Sequence, residues 1–507
     1  MKKLFDRLAR CVLAPLLALV CLHGAQALSE TEGHCRALLI ACDEFLSAAD
    51  TESIAHNNLL TMQQVLARDV RGYEIYRQDG MTNSVDALRA AVRWAFADAT
   101  EEDVSLLYIS THGEFVSNIN NPEGVLLLSD GALEERVSAQ QLQAILDEVP
   151  GVKVLIVDAC HSGALIGKGI SPATGSERVV SGFRSDDYRV LTSSGGSELS
   201  WYWLARLETA PPGSSYFTTA LGQGAGIGGE AAADANRDGT ITLTEMYEYL
   251  WYSQASSTVQ TWPQDSDFPL LMYDVDAEEA AEPDELTGIV FHDVGLNPQT
   301  AEATLSFTVS RAARVAYRLT YWQDGQWAWS EAVTLLDRSE WDGEGTPEGW
   351  MAEGRKEITL ALAEYLPEDW TYAMLHLMTL GDGTQESRSA IFASRVLYAV
   401  REGDPQLSVE TAQRWERAYQ PELEIFVGHA LPVRLSVIIR DEAGETVRRL
   451  CVSSPTRPQG LTPEGSLLYW NGLLHDGTPA PAGRYQVVAV AGTGQERYEA
   501  ETWVSVE

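Results

Sequence analysis

The stretch VKVLIVDACHSG, Val152–Gly163, decides the fold class, because a long apolar run stops abruptly at polar and potentially reactive residues. The run is typical of a buried strand, and it ends at Asp158 with Cys160 close behind. A cysteine that served only packing would be expected inside the apolar run. A second run, SLLYISTHGE, ends in the same way at His112 and Gly113. Two buried strands are therefore predicted to end in side chains suited to chemistry.

Apolar strands alternate with helical patterns from residue 35 to residue 275. Strands are predicted in CRALLIACDEF, DVSLLYISTHGE, GVLLLSDG, VKVLIVDACHSG and YRVLTSSGG, and helices in HNNLLTMQQVLARD, TNSVDALRAAVRWAFADA, SAQQLQAILDEV and SYFTTALGQGA. Helix starts are expected at Asn83 or Ser84 and at Ser138, which are good N-caps. This alternation predicts an α/β domain with a mostly parallel sheet and helices on both faces.

His112 and Cys160 are predicted to lie side by side at one edge of this sheet. Sites in open α/β sheets form at the carboxyl ends of strands, and neighbouring strands are about 4.8 Å apart. That separation suits a thiol nucleophile and an imidazole base, and a nearby imidazole makes the thiolate accessible near neutral pH. The backbone N–H groups of Gly113 and Cys160 are candidates for an oxyanion hole. His161 is interpreted as a structural residue.

Size, charge and cysteine content limit the possible partners and compartments. The chain has 507 residues, too many for one ordinary domain, and 45% apolar residues, enough for large cores. A formal net charge of −37 argues against a nucleic-acid or anionic-membrane partner. Outside the first 27 residues only Cys35, Cys42, Cys160 and Cys451 occur, too few for a disulfide framework. Cys35 and Cys42 bracket a strand and should not pair.

Residues 1–27 are predicted to be a cleaved secretory signal. A basic start is followed by the apolar run CVLAPLLALVCL and an Ala-Gln-Ala site. A single anchoring helix is the alternative. The mature protein is therefore expected to be secreted, periplasmic or on the cell surface, with no membrane segment of its own.

The pair YISTHGE and IVDACHSG resembles the caspase–metacaspase group of cysteine peptidases, in a bacterial, metacaspase-like form. In that group a His-Gly closes one strand, and the cysteine closes the next about 50 residues later. The resemblance covers about residues 35–272. It implies a caspase-like fold, Cys160 as nucleophile, His112 as general base and acid, and a protein or peptide substrate. A monomer is expected, and no organic cofactor.

The resemblance also implies a specificity pocket. In metacaspase relatives the acid two residues before the cysteine binds a basic side chain, which maps to Asp158 and predicts cleavage after Arg or Lys. Residues 43–67 contain no Lys or Arg, which favours a basic over an acidic substrate side chain in the pocket. Relatives often carry a second acid in an Asn-Asp-Ala motif, and here Asn58 replaces it. Glu198 is a candidate substitute, with a solvated loop acid as the alternative interpretation.

The Gly- and Ser-rich loop over residues 167–187 is a predicted site of self-cleavage, as in some relatives. It carries Lys168, Arg178 and Arg184, and loops of this composition are commonly exposed and easily cut.

DANRDGTITLTE, Asp234–Glu245, matches the EF-hand loop pattern and predicts a Ca²⁺ site. The predicted ligands are side-chain or carbonyl oxygens, the donors that a hard cation prefers. They are Asp234, Asn236, Asp238, Thr240 and Glu245. A metal-free turn that caps the following helix is the alternative.

The rest of the chain is predicted to be β-structure. The domain boundaries are a signal peptide at 1–27, a peptidase domain at 28–273, an acidic linker at 274–287, and β-sandwich modules at 288–402 and 403–507. The last module resembles bacterial Ig-like modules of the flagellar-hook-capping type. That resemblance rests on RLSVIIRDEAGETVRRL, a Trp470–Gly472 turn, Asp476–Gly477 and Ala482–Tyr485. Trp470 and Tyr485 are expected in its core.

The combined prediction is an exported cysteine endopeptidase with two Ig-like modules. The alternative is a binding or adhesion protein whose caspase-like domain is inactive. A serine hydrolase of the α/β type is disfavoured, because the chain contains no G-x-S-x-G motif.

Overall fold

The computed structural model of the protein describes residues 33–116, 122–170, 179–203, 213–227, 231–253, 257–274, 289–297, 301–309, 312–323, 326–331, 333–336, 342, 346–368, 370–380, 390–398, 403–418, 420, 422–456, 465–475, 478–493 and 496–507. The predicted signal peptide, and all but the first residue of the predicted linker, lie outside this set. Within it, no helix is long and apolar enough to cross a membrane.

The N-terminal half alternates strands and helices as predicted. Its elements are β1 (Cys35–Ala41), α1 (Ile54–Ala67), β2 (Glu74–Asp79), α2 (Val85–Ala95), β3 (Val104–Ser110), β4 (Gly113–Val116), β5 (Glu123–Ser129), β6 (Glu134–Ser138), α3 (Ala139–Leu146), β7 (Val152–Asp158), a 3-10 helix (Ser162–Ile166), β8 (Tyr188–Thr192), β9 (Tyr202–Trp203), β10 (Ser214–Ser215), α4 (Tyr216–Gly224), β11 (Thr240–Thr242), α5 (Leu243–Ser253), β12 (Gln260–Trp262) and β13 (Pro269–Met272).

A six-stranded sheet in the order β12-β8-β7-β3-β1-β2 forms the centre of this half. Every pairing is parallel except that of β12 with β8, so the mostly parallel sheet is confirmed. The sequence pattern missed β2, because its EIYRQD segment is only half-buried and lacks an apolar run. GVLLLSDG does form a strand, β5, but it pairs with β4 and β6 in a separate antiparallel sheet.

Helices cover both faces of the sheet, because its strands are apolar on both sides. One buried cluster joins the strands to α2 and α3, and a second joins them to α1, α4 and α5. The predicted N-caps are present: Ser84 accepts a hydrogen bond from the Ala87 N–H at 3.2 Å, and Ser138 forms a capping box with Gln141. Both helices therefore begin where the sequence places them.

The C-terminal half is rich in strands. They are β14 (Ile289–Asn297), β15 (Glu302–Val309), β16 (Arg314–Gln323), β17 (Gln326–Trp329), β18 (Val333–Thr334), β19 (Gly354–Ala361), β20 (Tyr372–Leu380), β21 (Ala390–Tyr398), β22 (Ser408–Thr411), β23 (Arg414–Trp415), β24 (Leu423–Gly428), β25 (Arg434–Arg440), β26 (Thr446–Pro455), β27 (Gly465–Trp470), β28 (Gly483–Thr493) and β29 (Glu496–Val506), with a 3-10 turn at Leu362–Glu364.

These strands fall into two regions, each with two sheets around one hydrophobic cluster. The first region pairs β14-β15-β19 in one sheet and β17-β16-β20-β21 in another, with β18 on β16. The second, residues 403–507 and here called the C-terminal module, pairs β22-β24-β27 and β23-β29-β28-β25-β26. Trp470 is fully buried there, with its ring 5.3 Å from that of Tyr485, as expected for core aromatics. The Asp476–Gly477 pair lies outside the described residues.

Candidate active site

The parallel pairing of β3 with β7 brings the two sequence motifs together. Ser110 lies opposite Asp158 in the register, and the Thr111 N–H donates to the Asp158 carbonyl at 3.2 Å. His112 and Cys160 follow directly on these neighbouring strands and line one cavity. The placement agrees with the prediction that both residues share one edge of the sheet.

Gly113 allows the backbone after His112 to pass against the nucleophile's own backbone. A Cβ at this position would lie 1.9 Å from the Cys160 carbonyl oxygen, well inside any tolerable contact. Only glycine fits this approach, and that requirement does not depend on the oxyanion role predicted for its N–H.

His112 is oriented by a loop that precedes α1. Its Nε2 lies 2.8 Å from the Ala49 carbonyl oxygen, and its ring packs against Phe45 with centroids 4.5 Å apart. A carbonyl can only accept a hydrogen bond, so Nε2 carries the proton. The neutral ring therefore has its lone pair on Nδ1, the nitrogen left to accept a proton.

Cys160 is held by the backbone of Ser200. The Ser200 N–H donates to Sγ at 3.3 Å, and the thiol donates to the Ser200 carbonyl at 3.5 Å. Burial raises the pKa of the Cys160 thiol, although the Ser200 contact opposes that shift. Burial therefore favours the thiol over the thiolate, and the role of His112 in making the thiolate accessible stays a prediction.

Asp158 is the buried acid on the floor of this cavity. Its carboxylate accepts hydrogen bonds from the hydroxyls of Thr218 at 2.7 Å and Ser200 at 3.3 Å, and from that of Ser215. Burial raises the pKa of Asp158, and these donors oppose the shift. A cationic group entering the cavity would find a carboxylate ready to ionise beneath it.

Asn58 on α1 orients this carboxylate. Its Nδ2 donates to Asp158 at 3.3 Å and to Ser110 Oγ at 3.0 Å, while its Oδ1 accepts from Ser214 Oγ at 2.7 Å and the Ser215 N–H at 2.9 Å. All four contacts fix the amide with its donor side toward Asp158. Asn58 therefore lies in the predicted pocket, as a partner of the acid.

Several lining residues were not predicted from the sequence. Trp201 and Tyr202 line the cavity and are half exposed, and Ser200 and Ser215 bond to Asp158. The only local signal among them is that of Ser215, which caps α4 by accepting the Thr218 N–H at 3.0 Å. Nothing local indicates that this cap faces Asp158.

Glu198 does not line the cavity, which corrects the prediction that it binds substrate. Its carboxylate accepts hydrogen bonds from the Gly195 N–H at 3.0 Å, and from the Thr258 N–H at 2.7 Å and hydroxyl at 2.8 Å. These bonds use both oxygens to hold the loop after β8. His161 has a similar structural position, with its Nδ1 3.0 Å from the Gly196 carbonyl.

The predicted ligands of the calcium loop form hydrogen bonds with other residues of the same loop. Asp234 accepts the N–H groups of Arg237 at 2.7 Å and Gly239 at 2.9 Å, and Asn236 bonds to Asp238. Glu245 accepts the Thr242 N–H at 2.9 Å, as a helix cap does. Thr240, the remaining predicted ligand, donates its N–H to Asp238 at 2.8 Å. In the described part of the chain, no three His, Cys, Asp or Glu side chains converge to hold a metal.

Two of the three basic residues predicted as self-cleavage sites are engaged in the structure. Lys168 is 1% exposed, and Arg184 Nε donates to the Ile166 carbonyl at 2.8 Å. A peptidase needs an extended, accessible segment, and this conformation does not present Lys168 for cleavage. Arg178 lies outside the described residues.

A comparison with protein families matches residues 34–292, just over half of the chain, to the family described as the caspase domain. The chain belongs to this family. A caspase domain implies a cysteine peptidase that acts on a protein substrate. The match reaches beyond residue 273 and includes both His112 and Cys160.

Among solved structures, similarity is found to protein GSU0716 from Geobacter sulfurreducens, with 12% identity, a TM-score of 0.34, and coverage of 48% of this chain and 100% of that one. Caspase-1 from Spodoptera frugiperda shows 15% identity and a TM-score of 0.31, with 49% of this chain and 91% of that chain covered. No curated protein matches the chain.

Proposed function

We propose that this protein is an exported cysteine endopeptidase that cleaves after Arg or Lys with a His112–Cys160 dyad. The observation that carries the proposal is the buried carboxylate of Asp158 in the cavity that His112 and Cys160 also line. Export is supported by the basic and apolar pattern of residues 1–27. The presence of both reactive side chains in one cavity disfavours the inactive binding protein.

Catalysis begins when His112 Nδ1 accepts the Cys160 thiol proton. The thiolate attacks the scissile carbonyl carbon, and the backbone N–H groups of Gly113 and Cys160 stabilise the oxyanion. The imidazolium then gives its proton to the leaving amine, which departs and leaves an acyl-enzyme. A water molecule, deprotonated by His112, attacks this thioester, and the peptide acid leaves as the thiol is restored.

Specificity follows from the charge of the cavity. Asp158 supplies a carboxylate that pairs with a guanidinium or ammonium group, and Asn58 fixes its orientation. Among the described residues that line the cavity, none is Lys or Arg. An acidic substrate side chain would therefore meet a carboxylate with no compensating cation.

The first test is hydrolysis of fluorogenic peptides that end in Arg, Lys or Asp, by wild type and by Cys160→Ala. Cysteine-dependent cleavage after Arg or Lys is expected. Cleavage after Asp would retain the peptidase but overturn the role of Asp158. Folded wild-type protein that cleaves none of the peptides would favour the binding protein with Ig-like modules.

Two further features belong to this proposal. Ca²⁺ binding at Asp234–Glu245 is supported by the motif. It requires the Glu245 carboxylate to give up its hydrogen bond from Thr242 and to coordinate the ion instead. Calorimetric titration of Ca²⁺ into wild type and into Asp234→Ala tests the site. The heat of binding is expected to be lost in the variant, and equal heats would reject the site.

Self-processing is expected at Arg178, and Cys160→Ala should remain one chain.

A further inference from the structure

The two halves of the chain meet at a buried ion pair behind the nucleophile. Lys168 Nζ, in the loop that follows Cys160, lies 2.6 Å from Glu422 Oε2 at the start of β24. The side chains are 1% and 4% exposed, so both charges are removed from water. A buried charge is retained only where its partner is fixed, because an unpaired one is strongly destabilising.

Further contacts complete the enclosure of Lys168. Its ammonium donates to the Thr261 carbonyl at 2.7 Å and to Gln264 Oε1 at 3.1 Å, and it lies 4.4 Å from the centre of the Tyr469 ring. Burial lowers the pKa of Lys168, and the Glu422 carboxylate opposes that shift. Glu422 also accepts the Gln264 N–H at 3.2 Å, so it contacts two segments of the N-terminal half.

A second side chain of the C-terminal module holds the next residue of the loop. The Gly169 N–H donates to the Tyr469 hydroxyl at 3.1 Å. Tyr469 pairs with Glu424 across β27 and β24, so it lies at the same end of this sheet as Glu422. One end of one sheet thus fixes two consecutive loop residues.

Lys168 and Gly169 in turn hydrogen-bond to the segment that holds Cys160. The Gly196 N–H donates to the Lys168 carbonyl at 2.9 Å, and the Ser197 N–H donates to the Gly169 carbonyl at 3.0 Å. The segment continues to Ser200, whose N–H donates to Cys160 Sγ at 3.3 Å. Hydrogen bonds therefore link the C-terminal module to the segment 196–200, and the last residue of that segment bonds to the nucleophile.

We propose that Glu422 and Tyr469 are positioning residues for the peptidase, so that the docked C-terminal module is part of the catalytic unit. The inference rests on the proposed function. Neither residue touches the candidate cavity, and each acts through the loop at Lys168 and Gly169. The module is then required for the geometry of Cys160 rather than for substrate capture.

The first experiment measures peptide hydrolysis by full-length Glu422→Gln and Tyr469→Phe. Misplacement of a catalytic group by about 1 Å can cost about 100-fold in rate, so a fall in kcat of at least about tenfold is expected for Glu422→Gln. KM should change less than kcat, because Asp158 keeps its bonds to Asn58, Ser215 and Thr218. Tyr469→Phe removes only a hydroxyl and should lower kcat less, about threefold.

The matched control is Arg448→Gln. Arg448 forms an ion pair with Asp265, which also joins the two halves, but it contacts neither Lys168 nor Gly169. Its kcat is expected within about twofold of wild type. An equal loss in Arg448→Gln and Glu422→Gln would mean that general docking, and not these two residues, matters, and would overturn the proposal.

The second experiment does not depend on peptidase activity. In the Cys160→Ala background, trypsin should cut after Lys168 at least about tenfold faster when Glu422→Gln is added, because the loop is released. Mass spectrometry identifies the cut, and Lys168→Met removes it. An unchanged tryptic rate overturns the proposal, even if wild type hydrolyses no peptide and the proposed function fails. Loop release with unchanged kcat overturns it as well.

Discussion

Gly113 lies so close to Cys160 that a Cβ on the glycine would meet the Cys160 carbonyl oxygen at 1.9 Å. Gly113→Ala must therefore push β4 and the turn after β7 apart. We expect kcat/KM on an Arg peptide to fall by at least about 100-fold, because both members of the dyad shift. Circular dichroism and the unfolding temperature establish that the variant is folded.

The control is Gly72→Ala, because Gly72, unlike Gly113, has only open space within 4 Å of an added Cβ. Its φ of 72° makes alanine strained there, so some stability is lost without any change near the cavity. Equal activity of Gly113→Ala and wild type would contradict the close approach.

Asp158→Asn should abolish the preference for basic residues. Loss of one partner of a buried charge pair typically costs about 2–5 kcal/mol, so kcat/KM on Arg peptides should fall at least about 30-fold. Ser200, Ser215 and Thr218 can still bond to the new amide, so the fold should persist. Hydrolysis of matched peptides with Arg, Gln or Asp at the cleavage site measures the change. A retained preference for Arg would contradict the assigned pocket.

The pH dependence of substrate binding should report on Asp158. Burial raises the pKa of its carboxyl, so in the free enzyme the group stays neutral to higher pH than an ordinary aspartate. As pH rises through this raised pKa, the cavity gains a negative charge, and kcat/KM on Arg peptides should increase. The residual kcat/KM of Asp158→Asn on Arg peptides should show no such rise with pH.

The pattern of the sequence was sufficient for the apolar strands, the N-caps and the edge where the site forms, but not for the half-buried strand β2. Each depends on local periodicity or on one side chain near its own backbone, as at Ser84 and Ser138. Asn58 was placed near Asp158 by the family resemblance alone, and the pattern did not predict Ser200 and Ser215, because they arrive from two other segments. Their closeness depends on how loops fold, and no local pattern encodes that.

Lys168 is a further residue whose surroundings the sequence pattern could not predict. Its place in a Gly- and Ser-rich loop predicts exposure, and its partner Glu422 belongs to a different half of the chain. A loop composition describes the average solvent contact of such segments. It carries no information on a docked module that removes one lysine from water.

Glu134 should contribute to stability in acid by holding the loop that orients His112. It accepts the N–H groups of Leu46 at 2.8 Å and Ser47 at 3.2 Å, and so fixes the backbone that leads to Ala49, the partner of His112. Partial burial alone raises the pKa of Glu134, but its bonds to Ser47 and Leu46 outweigh this and lower it.

A lowered folded-state pKa means that Glu134 stabilises the fold above its unfolded-state pKa. That contribution is lost as pH falls through the lower folded value. Glu134→Ala should lower kcat about threefold at neutral pH, because one exposed charged contact contributes about 0.2–1 kcal/mol. The stability of wild type should fall more steeply than that of the variant over this acid interval, measured by urea unfolding. Parallel pH profiles for the two proteins would contradict the role of Glu134.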